Sequence, residues 1–153
     1  MKPQPCVAII VGSKTDLPFL EGATSVLEEF GVAYSVEVMS AHRSLDKVSA
    51  FASSAEENGF EVIIAVAGMA AHLPGVIAAK TVLPVIGVPL PTSDIKGMDS
   101  LLAIVQMPGG IPVATMAIGK AGVKNAALFA VAILARREKS LLKKLQKYRE
   151  SIF

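Results

Sequence analysis

Five short runs rich in Val and Ile recur along the chain, and between them the hydrophobic period lengthens to that of a helix. The runs are CVAIIV (6–11), YSVEVM (34–39), EVIIAVA (61–67), PVIGVP (84–89) and PVATMA (112–117). Most are continuous rather than alternating, the pattern of strands covered on both faces. After GSKTD, residues Leu17, Leu20, Ala23, Leu27 and Phe30 fall on one helical stripe that Gly31 ends. After SAHR, Val48, Phe51, Ala52 and Ala55 do the same before Gly59. Strand and helix in alternation imply parallel βαβ units with right-handed crossovers. The spacing therefore predicts an α/β fold: a three-layer α/β/α sandwich around a five-stranded parallel sheet.

The 153 residues fit one domain, 1–153, with a core over about 7–134 and a basic amphipathic C-terminal helix over 136–152. Apolar residues make up 52% and charged residues 18%, which excludes a disordered chain and leaves few charges to clothe a small monomer; an oligomer is expected. One segment sharpens that expectation. Read as a helix, AIGKAGVKNAALFAVAILA (117–135) is apolar on nearly every face of its second half, so a neighbouring subunit, or the sheet and the tail together, must cover it. The net charge is +2, yet the tail 136–150 holds seven Lys or Arg against two Glu, leaving 8 against 11 for the rest. That basic excess falls at helical spacing around Leu141, Leu142, Leu145 and Tyr148, which reads as a solvated helix face; no nucleic-acid partner is expected. Cys6 has no second cysteine to pair with, which fits a reduced, cytoplasmic setting. MKPQP has neither part of a signal peptide, and the apolar stretch 125–135 falls short of the roughly 20 residues that span a bilayer, so no membrane partner is expected.

In an open parallel sheet, ligands gather at the carboxyl ends of the strands. Three loops there carry the chemistry. GSKTD offers Gly12 for close backbone approach, the hydroxyls of Ser13 and Thr15, the carboxylate of Asp16 and a following helix N-terminus: a phosphate cradle in outline, or an N-cap and no more. SAHR sets Ser40, Ala41, His42 and Arg43 at the end of the second run. A guanidinium there can hold a phosphate or carboxylate, and an imidazole can move protons near neutral pH; a capped helix start at Ser40 or Ser44 is the structural alternative. AGMAAHLPG follows the third run; its small residues, Gly68, Ala70 and Ala71, let backbone amides approach a flat ligand, and His72, Leu73 and Pro74 open the next helix. His72 could equally be a packing residue. Two histidines and one cysteine do not supply a zinc site, and no metal is expected. Three such loops on one edge imply a phosphorylated small molecule bound across it, with an imidazole handling protons.

GSKTD (12–16), SAHR (40–43), AAHLPG (70–75) and QMPGGIPVATMAIG (106–119), in that order and at those separations, closely resemble the N5-carboxyaminoimidazole ribonucleotide mutases of purine biosynthesis. The likeness covers about Val7 to Leu134. It implies a flavodoxin-like fold assembled as a homo-octamer with sites at subunit contacts. It also implies an isomerase that moves a carboxylate from N5 to C4 of aminoimidazole ribonucleotide without metal or organic cofactor. On this chain the resemblance implies His42 as general acid and base, Asp16 on ribose hydroxyls, and Ser13 and Arg43 on phosphate. Ser40 and Ala41, and the stretch with Gly68, Ala70, Ala71, His72 and Leu73, would enclose the base and a transient CO2, with Ala67, Gly68 and Ala71 as its apolar walls. A related carboxylase that takes free CO2, and a ribonucleotide sensor without turnover, are the alternatives; the carboxylase's relatives usually lack HLPG. This chain departs from the pattern at Val66 and Met69, both frequent glycines, at Thr15, commonly serine, and at Leu45, commonly proline.

Overall fold

Alternate residues of a strand face opposite ways, so a strand that is apolar at every position must be covered on both sides. A computed structural model describes residues 4–152 and shows how this chain meets that demand. The strands are β1 (Val7–Val11), β2 (Tyr34–Val38), β3 (Val62–Gly68), β4 (Val85–Leu90) and β5 (Ala114–Thr115), all parallel, in the order β2-β1-β3-β4-β5. The helices are α1 (Glu21–Phe30), α2 (Leu45–Ser54), α3 (Leu73–Ala78), α4 (Met98–Val105), α5 (Lys120–Leu134) and α6 (Lys139–Glu150).

Two cores result. Val7, Ile9 and Val11 of β1, with Ile64 and Val66 of β3 and Val88 of β4, pack under α1 and α5. Ala8 and Ile10, with Ile63, Ala65 and Ala67, pack against α2, α3 and α4. Each buried Val or Ile contributes on the order of 2 kcal/mol of apolar burial, so the continuous runs commit the central strands to the middle layer. Helix α6 closes over the first core: Leu141 is buried, Phe30 and Tyr148 meet edge to face, and the Lys144 ammonium donates to the Phe30 carbonyl at 2.9 Å. The flavodoxin-like α/β/α architecture expected from the sequence is the one observed.

Several boundaries differ from the sequence reading. The stripe that begins at Leu17 is a 3-10 segment over Lys14–Leu20 before it becomes α1. Pro18 inside it lacks the N–H that a regular α ladder needs, and Leu17 points partly to solvent. Gly31 ends α1 in the left-handed region at φ 73°, donating to Glu28 and Leu27. Strand β2 is an edge, with Val36 and Glu37 exposed, rather than covered on both faces. Strand β5 shrinks from 112–117 to two residues, because Pro112 has no donor for the ladder and, after the Met116 N–H bonds to Gly87, the next bond to β4 comes only from Gly119, to Pro89. Helix α5 starts at Lys120 rather than 117, since Gly119 adopts φ 75°, outside helical backbone. Helix α4 lies within 84–112, where clustered Pro and Gly hid its short apolar period.

Candidate functional site

Where the order runs outward from β1 in both directions, β1 and β3 leave a crevice at their carboxyl ends, the position at which open α/β sheets bind ligands. A cavity of about 440 Å³ lies there, and its walls come from the three loops singled out in the sequence. Gly12, Ser13, Thr15 and Asp16 follow β1; Ser40, Ala41, His42 and Arg43 follow β2; Ala67, Gly68, Met69, Ala70 and Leu73 end β3 and open α3.

The first loop is pinned as an N-cap and still presents polar groups. Ser13 Oγ accepts from the Thr15 backbone N–H at 3.3 Å and lies 2.9 Å from Thr15 Oγ1. Asp16 is 7% exposed, and burial pushes its carboxyl above the ordinary range, opposed by a hydrogen bond from the Ser13 backbone. A buried carboxylate without a countercharge is costly to keep, so this group favours a ligand that donates hydrogen bonds to it. In the second loop Ser40 Oγ accepts from the Arg43 N–H at 3.3 Å and the Ser40 carbonyl accepts from the Ser44 N–H at 2.9 Å. That tight turn puts the side chains of His42 and Arg43 outward. Among the described residues Arg43 forms no salt bridge, which leaves its fork of donors for an anion.

The two histidines, 30 positions apart, meet. His42 Nε2 lies 2.6 Å from His72 Nδ1, with ring planes 83° apart. One nitrogen carries the proton and the other offers a lone pair, so the contact cannot persist with both rings fully protonated. His72 is thus exposed rather than packed in the core, and although it does not itself line the cavity it meets the ring of His42, which does.

Ala71 does not line the cavity. Met69 takes φ 52°, the Ala71 N–H then bonds back to the Met69 carbonyl at 2.9 Å, and the curl buries the Ala71 methyl in the second core. The wall that the sequence assigned to Ala71 is supplied by Ala67, Gly68 and Ala70. One lining residue went unseen in the sequence: Thr92, two residues beyond β4. The rule that points to the ends of the first three strands points to the end of the fourth as well.

Fold and cavity together define a flavodoxin-like α/β protein with an anion-receptive, imidazole-bearing site at its sheet edge. The chain belongs to the AIR carboxylase family, whose model matches residues 6–152. It is 56% identical over 145 residues to the N5-carboxyaminoimidazole ribonucleotide mutase of Escherichia coli strain K12, covering 95% of this chain and 86% of that one. It is 53% identical over 146 residues to the enzyme of the same name from Thermotoga maritima, covering 95% and 84%. Among solved structures, the crystal structure of Treponema denticola PurE superposes with a TM-score of 0.86 at 29% identity, covering 96% of this chain and 90% of that one.

Proposed function

We propose that this chain is an isomerase of de novo purine biosynthesis, converting N5-carboxyaminoimidazole ribonucleotide to 4-carboxyaminoimidazole ribonucleotide. The observation that carries the reading is the cavity itself: Ser13, Asp16 and Arg43 line it together with His42, whose ring is in contact with His72, in a chain whose relatives bear that enzyme's name. Asp16 accepts from the ribose hydroxyls. Ser13 and Arg43 hold the phosphate, the guanidinium neutralising charge that a hydroxyl alone cannot. Ser40 and Ala41 form the floor beneath the base, and Gly68, Ala70 and Leu73 bound the space over it.

The chemistry is proton transfer around a CO2 shift. His42 donates a proton to the carbamate nitrogen, the N–C bond breaks, and CO2 leaves the neutral amine. The electron-rich C4 of the imidazole attacks the CO2 carbon, and His42, now with a free lone pair, removes the C4 proton to restore aromaticity. Protons balance: one is given and one is taken back by the same ring. His72 fixes that ring in place between the two steps. CO2 must not escape, and the apolar walls of Ala67, Gly68 and Ala70 suit a nonpolar gas held away from water.

The proposal extends to assembly and setting. His42, Arg43, Met69 and Ala70 are all exposed at the rim of the cavity, so a single chain leaves the CO2 path open to solvent. Closure by neighbouring copies, in a homo-octamer of single-domain chains acting in the cytoplasm, is the reading we adopt; among the described residues no helix is long and apolar enough to cross a membrane.

The test mixes purified protein with N5-carboxyaminoimidazole ribonucleotide, without ATP or bicarbonate, and follows ring absorbance for appearance of the C4 acid. Conversion is expected. A silent trace with tight ligand binding supports a sensor, and turnover only when aminoimidazole ribonucleotide and CO2 are supplied supports the carboxylase. His42→Asn should bind the ribonucleotide and lose at least about a hundredfold in turnover, the usual scale of acid–base catalysis.

A further inference from the structure

Gly68 ends β3 facing the cavity, and the space its side chain would occupy is already filled. A Cβ built there would collide with Thr92 Oγ1, so the threonine hydroxyl lies directly against the Gly68 backbone. The neighbouring hydroxyls are committed: Ser93 of the same loop donates to Asp99 Oδ1 at 2.8 Å, and buried Ser100 in the first turn of α4 donates to the Leu90 and Gly97 carbonyls at 2.9 and 3.0 Å. Those bonds fix the loop after β4. Thr92 differs. Its hydroxyl makes no hydrogen bond among the described residues, and it lines the cavity beside Ala67, Gly68 and Ala70. Thr92 is exposed at the mouth of the cavity, yet its hydroxyl rests against the Gly68 backbone with its donor unused, beside small apolar groups, where a ligand atom can meet it.

We propose that the Thr92 hydroxyl holds the migrating carboxyl group, donating to one of its oxygens before it leaves N5 and again once it is bonded to C4. The inference rests on the mutase reading for the identity of that group. A neutral donor binds a carboxylate oxygen firmly and a CO2 oxygen weakly, so it marks both ends of the transfer without trapping the gas between them. A fixed cation in its place would oppose release from the carbamate. Gly68 then has a defined purpose, since any side chain there would evict the hydroxyl.

The test compares binding of aminoimidazole ribonucleotide and its 4-carboxy derivative to the wild type, Thr92→Val and Thr92→Ser by calorimetry. It then follows the share of N5-carboxyaminoimidazole ribonucleotide turnovers that end as free aminoimidazole ribonucleotide. Loss of one hydrogen bond to a charged group is expected to cut the preference for the carboxylated ligand about tenfold or more in Thr92→Val. Affinity for the unsubstituted ligand and the melting temperature should hold, serine should restore the preference, and leakage should rise in the valine variant alone. Equal preference in wild type and Thr92→Val overturns the inference, whatever the turnover. Gly68→Ala gives a second reading, because it should lose the same preference with Thr92 still in the chain; retained preference there also counts against it. A wild type that shows the preference but no conversion removes the mutase reading and leaves only the contact between Thr92 and a bound carboxyl group.

Discussion

Met69 sits in the left-handed region at φ 52° with its side chain 60% exposed. An L-residue there carries a strain of roughly 1 kcal/mol that glycine avoids, and the methionine, mostly exposed, has little burial to offset it. Met69→Gly should therefore raise stability by about 1 kcal/mol in urea unfolding, less what glycine adds to unfolded-chain entropy. A decrease would mean that the thioether makes contacts a single chain does not reveal. Asp16 shows the opposite balance. Burial raises its carboxyl pKa, so the folded state holds that proton more tightly than the unfolded state. The resulting stability is fully present below the unfolded value near about 4 and is lost as pH rises through the folded one. Asp16→Asn should accordingly be more stable than the wild type at pH 7, by about 1 kcal/mol as is common for substitutions at binding sites. The gap should close as pH falls towards about 4. The same variant should bind the ribonucleotide some 10- to 100-fold more weakly, on the scale of hydrogen bonds to a charged group. A gap that widens in acid would contradict the burial argument.

At the level of elements, what was legible tracks how strongly local pattern and tertiary demand agree. Strands β1, β3 and β4 announce themselves because burial on both faces requires unbroken Val and Ile, and α1 because its stripe ends in a glycine that takes φ 73°. Gly31→Ala should cost about 1 kcal/mol in thermal or urea unfolding, since it puts a Cβ into left-handed backbone without gaining a contact beyond the flexible end of Lys144. Where the two demands part, sequence reading fails. Helix α4 is eight residues between Gly97 and Gln106, too short for its period to stand out among flanking prolines and glycines. The site follows the same logic. Ser13, Asp16, Ser40, His42 and Arg43 are polar groups just after apolar runs, visible as interruptions. The 2.6 Å contact between His42 and His72 and the nesting of Thr92 on Gly68 are products of strand order, because they join loops 30 and 24 positions apart that only parallel pairing makes adjacent. Ala71 faces the second core rather than the cavity because of the Met69 turn, whose left-handed backbone no methionine advertises.

On the scale of the whole molecule the apolar excess has to go somewhere, and the two cores do not absorb it all. Along α4, Met98, Leu102 and Val105 are each about half exposed, at 50%, 49% and 48%, on one stripe at spacings of four and three. Nearby Ile95 is 61% exposed, and on α5 Phe129 stands 43% exposed where the sequence showed no polar face. Exposed apolar stripes of this kind on a small chain mark contact with other copies or partners. Leu102→Asp tests the proposed octamer cleanly. A charge at a half-exposed position should change the stability of one chain by no more than about 0.5 kcal/mol, whereas an unpaired carboxylate buried between subunits costs several times that. Light scattering should therefore show the wild type as an octamer and Leu102→Asp as smaller species with an unchanged circular dichroism spectrum. Turnover should fall with assembly, because the exposed rim around His42 and Met69 then stays open and CO2 is lost to solvent. Full activity from a dispersed Leu102→Asp protein would show that one chain seals its own cavity, and the role given to neighbouring copies would have to be withdrawn.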